Sequence, residues 1–198
     1  MTKINIKDVV ENLVDTFLSA GKISLDLRNK GLTKETKSDN TPVSNGDLEV
    51  NKIISQKISK LTPDIPIISE ETSDNKSIKS LKNFWLIDPI DGTYDYINNK
   101  DEFTINAGLI IDKRPVAGLI YAPAKNRMFY SYGMNYAFEL INGKPVKLDG
   151  KKNLNKNEIK FVSYSHKIKP EIKKIHKELN VKQYVRMISS LKFCVVAA

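Results

Sequence analysis

Glu70, in Ser69-Glu70-Glu71, is followed by Asp88, Asp91 and Thr93 in the run Trp85-Leu86-Ile87-Asp88-Pro89-Ile90-Asp91-Gly92-Thr93. These are three acidic side chains and a hydroxyl close enough in the chain to share one site. Carboxylates crowded together without cations repel each other, so a cluster of this kind implies a bound metal. Every donor on offer is an oxygen, which favours Mg2+ or Mn2+ over zinc. If Gly92, Thr93 and Tyr94 open a helix, their backbone N–H groups would form an anion cradle beside the metal. A metal next to a phosphate cradle points to hydrolysis of a phosphate ester.

The elements around these residues can be read from periodicity. Phe84 to Ile87 is apolar and bounded by turn residues, as in a buried strand. Asp88 would sit at the end of that strand, with Pro89 and Gly92 shaping the turn that follows. On a straight strand Asp88 and Asp91 would face opposite ways, whereas from a turn they can converge. Ile65–Ser69 reads as a second short strand; if it runs on, neighbouring Glu70 and Glu71 point to opposite sides. Upstream, Ile6, Val9, Val10, Leu13, Val14 and Phe17 follow helical spacing, so the first twenty-odd residues form an amphipathic helix. Ser44 followed by Asp47 marks a capped start for another helix, carried on by Val50, Ile53, Ile54, Ile58 and Leu61.

Downstream, Phe103–Ile111, Pro115–Tyr121, Met128–Tyr132 and Tyr136–Ile141 read as an antiparallel meander. The polar stretch 147–157 is the best candidate linker. A strand (Ile159–Tyr164), a helix (Pro170–Leu179), a strand (Lys182–Met187) and an apolar segment from Ser190 suggest a βαβ arrangement. His176, on the lysine-rich helix, is expected to face solvent. Cys194, the lone cysteine, excludes an internal disulfide and reads as a small buried apolar residue.

No apolar run reaches membrane-spanning length. The net charge of +9, from 32 basic against 23 acidic residues, is spread along the chain without interleaved aromatics. Such dispersion fits solvated faces better than a surface for polymeric nucleic acid.

The stretches Lys37–Asp47, Thr62–Glu71, Phe84–Thr93, Glu102–Ile110, Gly118–Pro123, Val162–His166 and Ser189–Cys194 together resemble the magnesium-dependent, lithium-sensitive phosphatase superfamily that includes inositol monophosphatase. Within it they are most similar to the bacterial 3'(2'),5'-bisphosphate nucleotidase branch. The resemblance covers nearly the whole chain. It implies a layered αβαβα sugar-phosphatase-type fold, mixing α+β and α/β character. N-terminal helices and an antiparallel sheet would form a metal-binding domain over residues 1–146. A second α/β domain would begin at 158–198, incomplete here, with 147–157 between the two.

The site roles follow from the same resemblance. Glu70, Asp88 and the Ile90 carbonyl would hold one metal, and Asp88 would bridge to a second held by Asp91. Two or three Mg2+ ions are implied, with Mn2+ as a substitute and Li+ as an inhibitor. Thr93 would orient the nucleophilic water, aided by Asp47 or Glu70, and Glu70 is preferred over Glu71 as the metal ligand. Ile90, Asp91, Gly92 and Thr93 would meet the phosphate. Ser163, His166 and Lys192 would line a nucleotide pocket, although Ile188 stands where the family usually has glycine.

The implied substrate is adenosine 3',5'-bisphosphate, converted to AMP and phosphate, with inositol monophosphate or a sugar phosphate as the alternative. The resemblance further implies a cytoplasmic protein, peripheral association with the inner membrane face, and a homodimer. The chain ends within the apolar helix begun at Ser190, before the family's Trp-Asp motif that supplies another metal ligand. A third reading is therefore a truncated, non-catalytic chain.

Overall fold

In the computed structural model, residues 4–37, 40–72, 80–149, 159–163 and 167–198 are described. Helix α1 spans Ile6–Lys30 and buries Val9, Val10, Leu13, Val14, Phe17 and Ala20 along one stripe. The Asn5 side chain accepts the Asp8 N–H at its start, and Gly31 ends it at φ 97°, where a side chain would be strained. A hairpin of β1 (Lys34–Thr36) and β2 (Pro42–Ser44) leads into α2 (Asn45–Leu61). The hairpin had no sequence signal: between Lys34 and Pro42 every described residue but the half-buried Lys37 is exposed.

A seven-stranded sheet forms the centre. It comprises β3 (Ile67–Ser69), β4 (Phe84–Asp91), β5 (Thr104–Ile111), β6 (Arg114–Ala122), β7 (Arg127–Tyr132), β8 (Ala137–Ile141) and β9 (Lys144–Lys147), in that spatial order. Only the β3–β4 pair of this sheet is parallel; β5 to β8 form the expected meander, which β4 and β9 extend with further antiparallel pairs. Strand β9 is entirely exposed and carries Pro145, so it lacks the alternation that marks a half-buried strand. Its end at Lys147 places the first residue of the expected linker inside the sheet, and 150–158 lie outside the described residues.

Helices α1 and α2 cover one face, with α1 against β6 and β7 and α2 against β4. The core between them holds Phe17, Ile54, Ile58, Trp85, Ile87, Tyr96, Ile105, Leu109 and Leu119. Trp85 is fully buried, and its Nε1–H donates to Thr62 Oγ1 at 3.0 Å, satisfying the polar end of its ring. The opposite face is touched by α5 (Leu191–Ala197), where Leu191 and Cys194 pack on Ala122 and Phe129. Alternation explains the division: Met128 and Tyr130 join the first core, while Phe129 between them joins the second. Burial pushes the Cys194 thiol up to about 11, as suits a packing residue.

Between sheet and α5 the chain forms the expected βαβ unit: β10 (Ile159–Ser163), α4 (Pro170–Glu178) and β11 (Val181–Arg186), with parallel strands. One expectation is corrected here. His176 is half-buried, its ring centroid 4.1 Å from that of Phe161, because α4 turns this position onto the two-stranded sheet. Among the described residues, no helix is long and apolar enough to cross a membrane.

Candidate active site

Strand β4 does not end at Asp88 but runs on to Asp91, so the expected turn becomes a bulge. Asp88 pairs with Asn106 and Asp91 with Thr104, so three steps on β4 oppose two on β5. That extra residue resets the alternation and puts both aspartates on one face, the face turned toward α5. Trp85 and Ile87 hold the other face in the core. Gly92 then turns the chain at φ 97° into the short helix α3 (Thr93–Ile97). A Cβ on Gly92 would stand 2.8 Å from the Glu102 carbonyl oxygen, so both conformation and space require glycine.

Helix α2 supplies Asp47. Its Oδ2 accepts from the Ser44 backbone N–H at 2.8 Å and the Ser44 hydroxyl at 2.6 Å, closing a capping box. Its Oδ1 lies 3.2 Å from Thr93 Oγ1, which also stands 3.0 Å from the Ile90 carbonyl oxygen. One hydroxyl proton therefore faces two acceptors. Asp47 is 1% exposed, and burial raises its pKa despite the opposing bonds from Ser44 and Thr93.

Asp88 carries the strongest electrostatic signature. Burial first, then repulsion from Asp91 and Glu70, pushes its carboxyl up to about 8. Its Oδ1 is buried without a hydrogen-bond partner among the described residues. Glu70 and Glu71 leave the strand in a turn, so strand alternation does not separate them. Lys37 Nζ bridges both, at 3.1 Å from Glu70 Oε1 and 2.8 Å from Glu71 Oε1. The Glu71 side chain is only 3% exposed and that of Glu70 49%, so the buried member of the pair is Glu71. Burial lowers the Lys37 pKa, but the bonds to Glu71 and Glu70 outweigh it and the net shift is upward.

Asp91 faces α5. Its Oδ2 accepts from the Ser190 N–H and hydroxyl, each at 2.6 Å. With Glu70 on Lys37 and Asp91 on Ser190, no group of three such side chains closes into a metal cage among the described residues. The donor chemistry still fits a hard divalent cation. Asp88 has an unsatisfied oxygen, repelling carboxylates surround it, and all the nearby donors are oxygens.

The remaining expected residues come from the segment 159–198. Ser163 ends β10, and its carbonyl accepts the Met187 N–H at 3.0 Å. Lys192 turns back on its own helix start, Nζ donating to the Ile188 and Ser189 carbonyls at 3.0 and 3.1 Å. His166 lies outside the described residues. Sequence reasoning missed Lys37 and Ser190 as partners of the carboxylates. Neither has a local signal, since both contacts join distant segments.

Fold and site together define a class: sandwiches of helices on a mixed sheet, with acidic residues gathered at a bulged strand. The chain belongs to the inositol monophosphatase family, whose model matches residues 6–198. It is 34% identical to the 3'(2'),5'-bisphosphate nucleotidase CysQ of Buchnera aphidicola (subspecies from Acyrthosiphon pisum), over 100% of this chain and 77% of that one. It is also 34% identical to CysQ of Escherichia coli K12, over 82% of this chain and 65% of the relative. The match thus spans between about two thirds and three quarters of these relatives' lengths.

Among solved structures, CysQ from Bacteroides thetaiotaomicron superposes with a TM-score of 0.70 at 23% identity, covering 98% of this chain and 77% of that one. An IMPase/NADP phosphatase complexed with Mg2+ and phosphate gives 0.71 at 18% identity, covering 91% and 67%. At such identities these two establish the fold.

Proposed function

We propose that this chain carries the site of a Mg2+-dependent phosphohydrolase that removes the 3'-phosphate of adenosine 3',5'-bisphosphate, giving AMP and phosphate. One observation carries the reading: Asp88, half-buried, with one buried unsatisfied oxygen and repelled by Asp91 and Glu70, stands on the same bulged strand that delivers Thr93 to Asp47. The bisphosphate nucleotidase relatives support the substrate, and the Mg2+ and phosphate held by a neighbour of the same fold support the cofactor.

Glu70, Asp88, Asp91 and the Ile90 carbonyl would hold the cations, two or three Mg2+ or Mn2+ ions, in a site sensitive to Li+. When bound, the metal supplies positive charge that neutralises the carboxylates and eases deprotonation of water. Thr93 would orient the attacking water, its hydroxyl proton drawn toward Asp47, whose raised pKa suits it to hold a proton. Gly92 and Thr93 stand where the first amides of α3 lack helical partners and can meet phosphate oxygens. Water forms the new P–O bond, and the bond to the 3'-oxygen breaks. Ser163, His166 and Lys192 would face the nucleotide across the joint between residues 1–146 and 158–198.

The second reading changes only the substrate, to inositol monophosphate or a sugar phosphate. It is favoured by Ile188 in place of the family glycine, which adds bulk beside the expected nucleotide pocket.

Phosphate release measured from adenosine 3',5'-bisphosphate and inositol 1-phosphate, with and without Mg2+ and Li+, separates the readings. Mg2+-dependent, Li+-sensitive release from the bisphosphate is expected. Release from inositol 1-phosphate alone supports the second reading, and none from either leaves a non-catalytic chain.

A further inference from the structure

The joint between β4 and α5 holds a hydrogen-bond chain that runs from Asp91 through Ser190 to Asn106. Asp91 Oδ2 takes two charge-assisted bonds from Ser190 and a weaker one from Thr104 Oγ1 at 3.4 Å. Behind Ser190 stands Asn106, whose Nδ2 donates to the Ser190 hydroxyl oxygen at 3.4 Å. A serine hydroxyl has one proton and two lone pairs. With a lone pair taken by the Asn106 amide, the proton is directed at Asp91. Asn106 itself is the register partner of Asp88 across β4 and β5, so the chain runs from Asp91 to the residue paired with Asp88. Its Oδ1 and the neighbouring Ser189 Oγ are both buried without a partner among the described residues, and Ser189 is fully buried. Polar atoms left so at a site of carboxylates are what a solvated ion or its substrate would satisfy.

We propose that Ser190, oriented by Asn106, is a positioning residue for Asp91: it pins Oδ2 to the start of α5 and leaves Oδ1 as the oxygen presented to the divalent cation. The inference rests on the cation-site reading above. Outer partners of ligating carboxylates tune metal affinity by about 10- to 100-fold, because they set the direction in which the ligand oxygen points. The pair also spans 99 positions of sequence, so it makes the geometry of a β4 ligand depend on a residue of the second layer. The Ser190 hydroxyl rather than its amide is the adjustable part, since the amide bond persists whatever side chain stands there.

The experiment is a Mn2+ titration of the full chain followed by electron paramagnetic resonance of the free ion. It compares the unsubstituted protein with Ser190→Ala, Ser190→Thr and Asn106→Leu, each checked for its melting temperature. Ser190→Ala is expected to weaken Mn2+ binding about tenfold or more. Ser190→Thr restores it, and Asn106→Leu weakens it to a lesser degree. Asn106→Leu acts from β5 and keeps the test open if Ser190→Ala fails to fold. Unchanged affinity in both Ser190→Ala and Asn106→Leu overturns the inference while leaving the cation site standing. Equal weakening by Ser190→Thr and Ser190→Ala also overturns it, since packing would then be the cause. No Mn2+ binding by the unsubstituted chain overturns the cation site itself, and the inference with it.

Discussion

At the scale of single residues, the site is a set of groups whose charges the fold does not balance by itself. Asp88 keeps its proton up to about pH 8 when folded, against an ordinary carboxylate value near 4 when unfolded. Between those values the folded chain binds more protons than the unfolded one, so metal-free stability falls as pH rises from about 4 to about 8. Melting in EDTA across that range should show this fall, and Asp88→Asn should flatten it while abolishing Mg2+-dependent phosphate release. Thr93→Val tests the proton path: it removes the hydroxyl but leaves Asp47 its two bonds to Ser44. Turnover should drop by about 10²- to 10⁴-fold, the usual range for lost acid–base assistance, with little change in melting temperature. The acidic residues and Thr93 were legible in the sequence because their types and spacing carry the chemistry. Lys37 and Ser190 were not, because lysine and serine take such roles only through neighbours distant in the chain.

At the scale of elements, backbone features rather than side chains aim the site. The bulge of β4 brings Asp88 and Asp91 to one face, and Gly92 allows the turn into α3. Gly92→Ala forces a Cβ into the left-handed region and against the Glu102 carbonyl. Chemical denaturation should show a loss of about 1–3 kcal/mol, and activity should fall further than stability because Thr93 shifts with the turn. Periodicity revealed α1, α2, α4 and the meander, since each has an apolar stripe or alternation. It missed β1 and β9, whose exposed residues satisfy backbone pairing without burying a pattern, and β2, whose three residues are too few to show one. It also placed the end of β4 too early, because the apolar run stops before the strand does.

At the scale of the whole molecule, the two parts of the chain differ in depth of burial. The face under α1 and α2 holds the large core, whereas α4 has no buried residue and β10 and β11 are at most half-buried. Local opening is easiest where little apolar surface is buried. Amides of β10, α4 and β11 should therefore exchange with solvent faster than those of β4, β5 and β6 in native-state hydrogen exchange, and equal protection would contradict this account. The sequence by itself determined the family, the helix–meander–βαβ order and the identity of the acidic cluster, because these depend on local pattern and residue type. Only the tertiary structure decided that Asp88 and Asp91 share a face, that Glu71 rather than Glu70 is buried on Lys37, and that Asp91 is tied to Ser190. Those outcomes depend on one-residue shifts in strand register and on contacts between distant segments, neither of which leaves a periodic trace in the chain.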